Sequence, residues 1–305
     1  MNRVLVIGSD NPVTHTVGDI LSAAGVSIEF AAGPVGALQR MRVESFAITI
    51  TSPGTFIEED LALLDEMRLI RPGIKCIILA PNSTPNEVIA ALRAHVFACF
   101  TAPFDPEAIA AIAREAASGG LADDDIRIIS ARPAWVTVRA NCRLLTAERL
   151  MSFARELSSQ MQEDMRDEIM LGFREILLNA MEHGGDFNPE QMIEVAAIRT
   201  RRSFVFHVRD PGSGFRHEPL GTDRVANLTN DLISNLTTDL IPKPTDDLIA
   251  HIRRREEEGL PLGGFGLLLA KGTVDELLYN EIGNEVLLIK YIDRAPSSQN
   301  DPLMH

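Results

Sequence analysis

The chain has 305 residues, of which 45% are hydrophobic and 24% charged, and its formal net charge is −14. That length suits two domains of ordinary size, and that balance is the one of a soluble globular chain rather than a disordered or membrane-embedded one. The negative charge excludes nucleic acid as the main partner, because no basic stretch is dense enough to displace its counterions. Cys76, Cys99 and Cys142 are widely spaced, without a C-x-x-C pair, and read as buried thiols of a reducing cytoplasm. Met1-Asn2-Arg3 leads straight into the short run Val4–Ile7, too short for a signal peptide, so a cytoplasmic protein without a membrane partner is expected.

In chain order, the first part alternates short apolar runs with helical patterns. Strand-like runs fall at Val4–Ile7, Ser27–Ala31, Ala47–Ile50, Lys75–Leu79 and Ala98–Phe100. Helical patterns fall near Pro12–Ala24, Val35–Arg42, Glu58–Leu69, Asn86–Ala94 and Asp105–Ala117. Such alternation predicts a doubly wound parallel sheet of the flavodoxin-like kind in residues 1–120, with its ligand position beyond the carboxyl ends of the strands. Residues 121–131, small and acidic at their start, read as a linker, although Arg127–Ser130 is itself strand-like.

The second domain is expected over residues 132–293, followed by a tail at 294–305. Trp135–Arg139 looks like a strand, Ala147–Gln160 and Gln162–His183 like long helices, and Glu194–Ile198, Ser203–Val208 and Glu285–Ile292 like strands. In the second helix Phe173, Leu177 and Ala180 form an apolar stripe, and Glu175 and Asn179, four apart, share another face. A carboxylate and an amide oxygen so placed suit a base and a ligand of a Mg²⁺ that keeps several waters, although an isolated pair of this kind is usually only a solvated surface. Gly184 can take the left-handed conformation that ends a helix, and His183 sits well at the negative end of the dipole. The strand ending at Val208 runs into Asp210-Pro211-Gly212-Ser213-Gly214, a D-x-G-x-G that alone is no more than a turn. Gly263-Gly264-Phe265-Gly266-Leu267 enters an apolar run, as a chain does when it brings backbone N–H groups up to phosphates.

Residues 1–117 resemble the receiver domain of bacterial response regulators, including Pro103-Phe104-Asp105 after the fifth strand. The chemistry of a receiver is missing: Gly8 and Ser9 stand where the resemblance requires acidic residues, leaving only Asp10, and Thr51-Ser52-Pro53 stands where the phosphoacceptor aspartate belongs. Leu79 or Ala80 replaces the hydroxyl residue, and Ala102 the lysine. A pseudo-receiver used for docking or for homodimerisation is expected; an unrelated flavodoxin-like domain is the alternative.

The ordered set E-x-x-x-N, D-x-G-x-G and G-G-x-G-L resembles the ATP-binding domain shared by histidine kinases and gyrase, the GHKL or Bergerat α/β-sandwich. Within it, Glu175, Asn179-Ala180-Met181-Glu182-His183-Gly184 and Asp275-Glu276-Leu277 are most similar to the serine kinases that act as anti-sigma factors, in which the last of these ends a short helix. The resemblance implies that Asn179 coordinates Mg²⁺ and Glu175 is the catalytic base. Asp210 would accept from the adenine amino group, Gly212 and Gly214 would shape the adenine pocket, and Gly263, Gly264 and Gly266 would lie against the phosphates. His183 belongs to the motif as well. The implied cofactors are ATP and Mg²⁺, and the implied partners are an anti-anti-sigma-type regulator and a sigma factor.

Residues 216–262, the position of the ATP lid, depart from that pattern by their length. They hold Asp-Leu-Ile three times, from Asp231, Asp239 and Asp247, which reads as chance, as two short helices or as a partner-binding insert. Arg253-Arg254-Arg255 reads as part of a solvated helical face from which one arginine could meet a phosphate. His217-Glu218 imitates a histidine phosphoacceptor but lies within this segment, not on a helix ahead of the ATP domain. Three functions follow: an Mg-ATP-dependent serine/threonine protein kinase, a non-catalytic ATP-gated adaptor, or the ATPase component of a split histidine kinase. Glu175 favours the first, since an adaptor needs Asn179 but no base.

Overall fold

A computed structural model describes residues 3–8, 10–118, 125–214 and 270–292. Gly263, Gly264 and Gly266, expected against the phosphates, the segment 216–262 with its repeats, Ser9 and the tail lie outside the described residues.

The first five strands are β1 (Arg3–Ile7), β2 (Ser27–Ala31), β3 (Ile48–Ile50), β4 (Lys75–Ala80) and β5 (Ala98–Thr101). They form a parallel sheet in the order β2-β1-β3-β4-β5, which is the flavodoxin-like order. Between and after them run α1 (Pro12–Ala23), α2 (Pro34–Val43), α3 (Ile57–Ile70), α4 (Pro85–Arg93) and α5 (Pro106–Ala117). Four of these helices open with proline, whose fixed φ and missing N–H suit a first helical position. Asn11, Thr84 and Asp105 cap three of them by accepting from backbone N–H groups of the first turn. Strands β1, β3 and β4 are buried along almost their whole length because helices cover both faces, so they show runs of Val, Ile and Leu rather than alternation.

The second sheet is antiparallel, in the order β10-β11-β9-β8-β7-β6. Its strands are β6 (Ile126–Arg132), β7 (Trp135–Asn141), β8 (Met192–Arg199), β9 (Ser203–Arg209), β10 (Glu276–Tyr279) and β11 (Glu285–Tyr291). Here alternation is visible: in β7, Val136, Val138 and Ala140 are buried while Trp135 and Arg139 are exposed. Two expectations need correction. The stretch 126–131, expected as linker, forms most of β6 and pairs with β7. Leu277 of the Asp275-Glu276-Leu277 motif lies in strand β10, not at a helix end. Its hydrogen-bonding partners explain why: Asp275 Oδ2 accepts from Tyr291 N at 2.6 Å, and Glu276 pairs with the Tyr291 hydroxyl.

Helices α6 (Leu144–Leu157) and α7 (Glu163–Asn179) follow β7, and α7 packs on β9 and β11. The ring of Phe173 stacks on Phe206 of β9 with centroids 3.9 Å apart, fixing α7 two residues before Glu175. On its other side α6 packs along β5, and Leu92 of α4 lines one apolar cavity with Phe153, Phe173 and Phe206. The two sheets therefore share a hydrophobic core. Among the described residues no helix is long and apolar enough to cross a membrane.

Candidate functional site

Helix α7 carries acidic Glu163 and Asp164 in its first turn, where the dipole is positive. Ile169, Phe173, Ile176 and Leu177 are buried on its apolar side. Glu175 and Asn179 lie off that stripe and are half-buried. The guanidinium of Arg174 stands 3.7 Å from the Glu175 carboxylate, and 23% of the Glu175 side chain stays exposed. The Asn179 amide makes no hydrogen bond to another described residue and remains available to a ligand.

After Asn179 the helix widens into a π-helical turn, Ala180–Gly184, a form that recurs at functional sites. This changes the expected helix end. Gly184 is not left-handed; Asp186 and Phe187 take the positive φ values, 53° and 44°. What position 184 requires is space, since a Cβ there would stand inside contact distance of the Asp210 carboxylate. His183, next to it, is exposed.

Asp210 follows β9. Its Oδ1 accepts from Gly212 N at 2.8 Å, closing the turn on itself, and its Oδ2 accepts from no other described residue. Burial raises its carboxyl above the ordinary carboxylate range, and the bond from Gly212 opposes that rise. A side chain at position 212 would meet Asp210 Oδ1 at 2.8 Å and the Gly184 Cα at 2.9 Å. At Gly214 φ is +79°, and a side chain would run into the Ile282 carbonyl. The turn between β10 and β11 supports this corner: Asp210 N donates to Asn284 O, and Asn284 Nδ2 donates to Gly212 O at 3.2 Å.

The structure thus brings Gly184, Asp210, Gly212 and Gly214 to one corner, and holds Glu175 and Asn179 one turn apart on the helix that leads into it. Three residues of this corner escaped the sequence reading. Cys142 lies under it, so close to Gly185 that a side chain there would collide with the thiol. Burial pushes that thiol up to about 11, with the charge of Asp210 adding to the rise. The Tyr279 phenol is raised by burial and then by Asp210. Ile282 forms the wall at Gly214. No spacing rule links positions 142, 210 and 279, so only the fold reveals them.

The corner suits the adenine of ATP on one observation of its own: a half-buried carboxylate with one oxygen open as an acceptor, seated against two glycines that let it pack closely. Mg²⁺ fits a different way. Among the described residues no three His, Cys, Asp or Glu side chains gather to hold a metal. A site with Asn179 as its one protein ligand needs the remaining ligands from phosphates and water, which Mg²⁺ commonly takes.

The returning chain is also fixed near α7. Gly172 leaves no room for a Cβ against Thr273 and the Ala270 carbonyl, so the helical residues 270–273 cross α7 closely at this point. Lys290 of β11 donates to Thr273 O at 3.1 Å and pairs with Glu168.

Residues 138–290 match the family described as histidine kinase-like ATPase domain. No curated protein matches the chain. Among solved structures, a receiver domain protein (CheY-like) from Methanospirillum hungatei JF-1 is 23% identical, covering 39% of this chain and 99% of its own, with a TM-score of 0.34. A Francisella response regulator receiver domain is 16% identical, covering 40% and 100%, with a TM-score of 0.36. A receiver domain protein from Clostridium thermocellum is 18% identical, covering 39% and 96%, with a TM-score of 0.35.

Proposed function

Because the chain belongs to the histidine kinase-like ATPase family, we propose that it is an Mg-ATP-dependent protein kinase acting on a serine or threonine of a small regulator protein. The observation that carries this reading is the pairing of Glu175 with Asn179. A protein that only binds ATP to change shape uses the amide and has no need of the carboxylate.

In this reading Asp210 accepts a hydrogen bond from the adenine amino group with its open oxygen, and Gly184 and Gly212 let the Asp210 carboxylate sit close against the backbone at that corner. Asn179 would hold, with its amide oxygen, the Mg²⁺ that accompanies ATP, and that ion would supply positive charge to the phosphates. Glu175 accepts the proton of the attacking hydroxyl. The hydroxyl oxygen bonds to the γ-phosphorus, the bond from that phosphorus to the β–γ bridging oxygen breaks, and ADP leaves with the electron pair. Phosphoryl transfer asks mainly for positioning and charge stabilisation, which matches helix-borne groups on a packed sheet. By the resemblance of the Asn179–Gly184 motif, the substrate is an anti-anti-sigma-type regulator and a sigma factor is a further partner.

Glu175→Gln tests this. The variant keeps shape and loses the base, so it should bind MgATP nearly as wild type and transfer phosphate to a co-purified partner about 10²–10⁴-fold more slowly. Equal transfer by both proteins removes Glu175 from the mechanism. ATP-dependent partner binding without transfer by either protein identifies an adaptor.

A further inference from the structure

Glu156 of α6 is only 4% exposed. Its partners come from the other sheet. Oε1 accepts from Thr101 N at 3.1 Å, Oε2 accepts from Ser83 Oγ at 2.8 Å, and the Thr101 hydroxyl shares its one proton between both oxygens at 3.0 and 2.8 Å. Thr101 ends β5 and Ser83 lies just beyond β4, so the carboxylate occupies the carboxyl ends of two parallel strands, the edge where such sheets hold ligands. Two turns earlier on α6, Arg149 Nε donates to Phe97 O at 2.9 Å, and its guanidinium lies 4.1 Å from the centre of the Phe97 ring. Seven helical residues span about 10.5 Å, and the strand from Phe97 to Thr101 spans about 13 Å. Helix α6 therefore lies along the edge strand β5 and is pinned near its middle and at its C-terminal end.

The opposite side of α6 meets α7. Arg155 pairs with Asp167 at 3.0 Å, and Glu148 faces Arg174 at 3.9 Å, next to Glu175. The Asp210–Gly214 corner touches the end of α7 at Gly184 but has a second support, Asn280 and Asn284 at the β10–β11 turn. A disturbance of α6 should therefore reach the Glu175 and Asn179 end of the site more than the Asp210 end.

We propose that Glu156 is a positioning residue for the phosphate end of the site: Thr101 and Ser83 hold it, and through α6 it sets where α7 presents Glu175 and Asn179. The parallel sheet thereby contributes to ATP chemistry without touching ATP. This rests on the reading of Glu175 and Asn179 given above. Displacement of reacting groups by about 1 Å costs on the order of 10²-fold in rate, whereas adenine contacts set much of the affinity.

The test uses the full chain as wild type, Glu156→Gln, Thr101→Val and the double variant. Three quantities are read: MgATP affinity by calorimetry, MgATP consumption under single-turnover conditions, and amide hydrogen exchange along α7. Glu156→Gln should consume ATP about 10–100-fold more slowly with affinity within about threefold of wild type. Thr101→Val should act in the same direction, and the double variant should be no slower than Glu156→Gln, because both remove one shared interaction. Exchange along α7 should rise in each variant. A Glu156→Gln protein that melts earlier but keeps the wild-type rate and α7 exchange overturns the proposal and leaves a structural tie only. A wild type that binds or consumes no ATP defeats the functional reading alone, and α7 exchange then decides the positioning role by itself.

Discussion

Two groups of acidic side chains, one at the parallel sheet and one beside the antiparallel sheet, are treated in opposite ways. At the parallel sheet Asp60, 2% exposed, accepts from Thr51 Oγ1 at 2.6 Å and from Thr55 Oγ1 at 2.9 Å, while Thr51 Oγ1 itself accepts from Leu79 N. The carboxyl ends of β4 and β5 are filled by Glu156. Beside the antiparallel sheet Glu175 and Asp210 keep oxygens open to a ligand, and Asn179 keeps its amide open. Polar groups consumed by internal hydrogen bonds build structure, and those left without a partner are available for chemistry. In the first region Thr51, Thr55 and Asp60 close on one another as a packed hydroxyl–carboxylate network; in the second, Glu175, Asn179 and Asp210 keep polar atoms without a partner among the described residues.

The strongest way to break this contrast is to fill the space. Gly184→Ala puts a methyl group into the Asp210 carboxylate, an overpacking that costs about 3 kcal/mol or more, so MgATP affinity should fall about 100-fold or more. Wild-type affinity in calorimetry would show that Asp210 does not mark the pocket.

Next in size is the pH response of the parallel sheet. Burial pushes the Asp60 carboxyl up to about 6 from 3.8, against the pull of Thr51 and Thr55. A raised native value means that the folded state holds the proton more tightly. The associated stability is complete below about pH 3.8 and is lost as pH rises through about 6, for a full difference of about 3 kcal/mol. Between pH 7 and pH 5 wild type should gain about 1 kcal/mol relative to Asp60→Asn, measured by urea unfolding of both at each pH. A constant difference between the two proteins would mean that Asp60 is charged as easily folded as unfolded.

Asp210→Ala removes one charge-assisted hydrogen bond and should weaken MgATP binding by about 1.5–3 kcal/mol. Binding unchanged within about twofold would transfer the adenine contact to another residue. The smallest expected effect is none at all. Acetyl phosphate with Mg²⁺ should add no phosphate within residues 1–117, because Thr51-Ser52-Pro53 offers no carboxylate after β3 to accept it. Intact mass showing one added phosphate there would sink the contrast from the other side.

Much of this arrangement is legible in the chain. The Val- and Ile-rich runs of β1 and β4, with Pro-led helices between them, state a parallel sheet because burial on both faces removes alternation. Glu175 and Asn179 are legible as one face because helical spacing is rigid. Other parts are not. Strand β10 is four residues long and follows a helical turn, too little sequence for a period to show. The need for glycine at position 184 comes from Asp210, a contact that no local conformational rule contains. Glu156 looks like any solvated helix residue, and only α6 being buried on two sides shows otherwise. A signal was present: Arg149 and Glu156 fall seven apart, on one face, beside Ala147, Leu150 and Phe153.

That double burial of α6 bears on ancestry. In a relative that carried the antiparallel sheet without the parallel one, the positions of Arg149 and Glu156 would face water and be free to drift. In a relative that kept both, the glutamate and a hydroxyl residue at the end of the fifth strand would be expected to change together. Their joint appearance across lineages would mark the moment at which two separately inherited folds became one molecule.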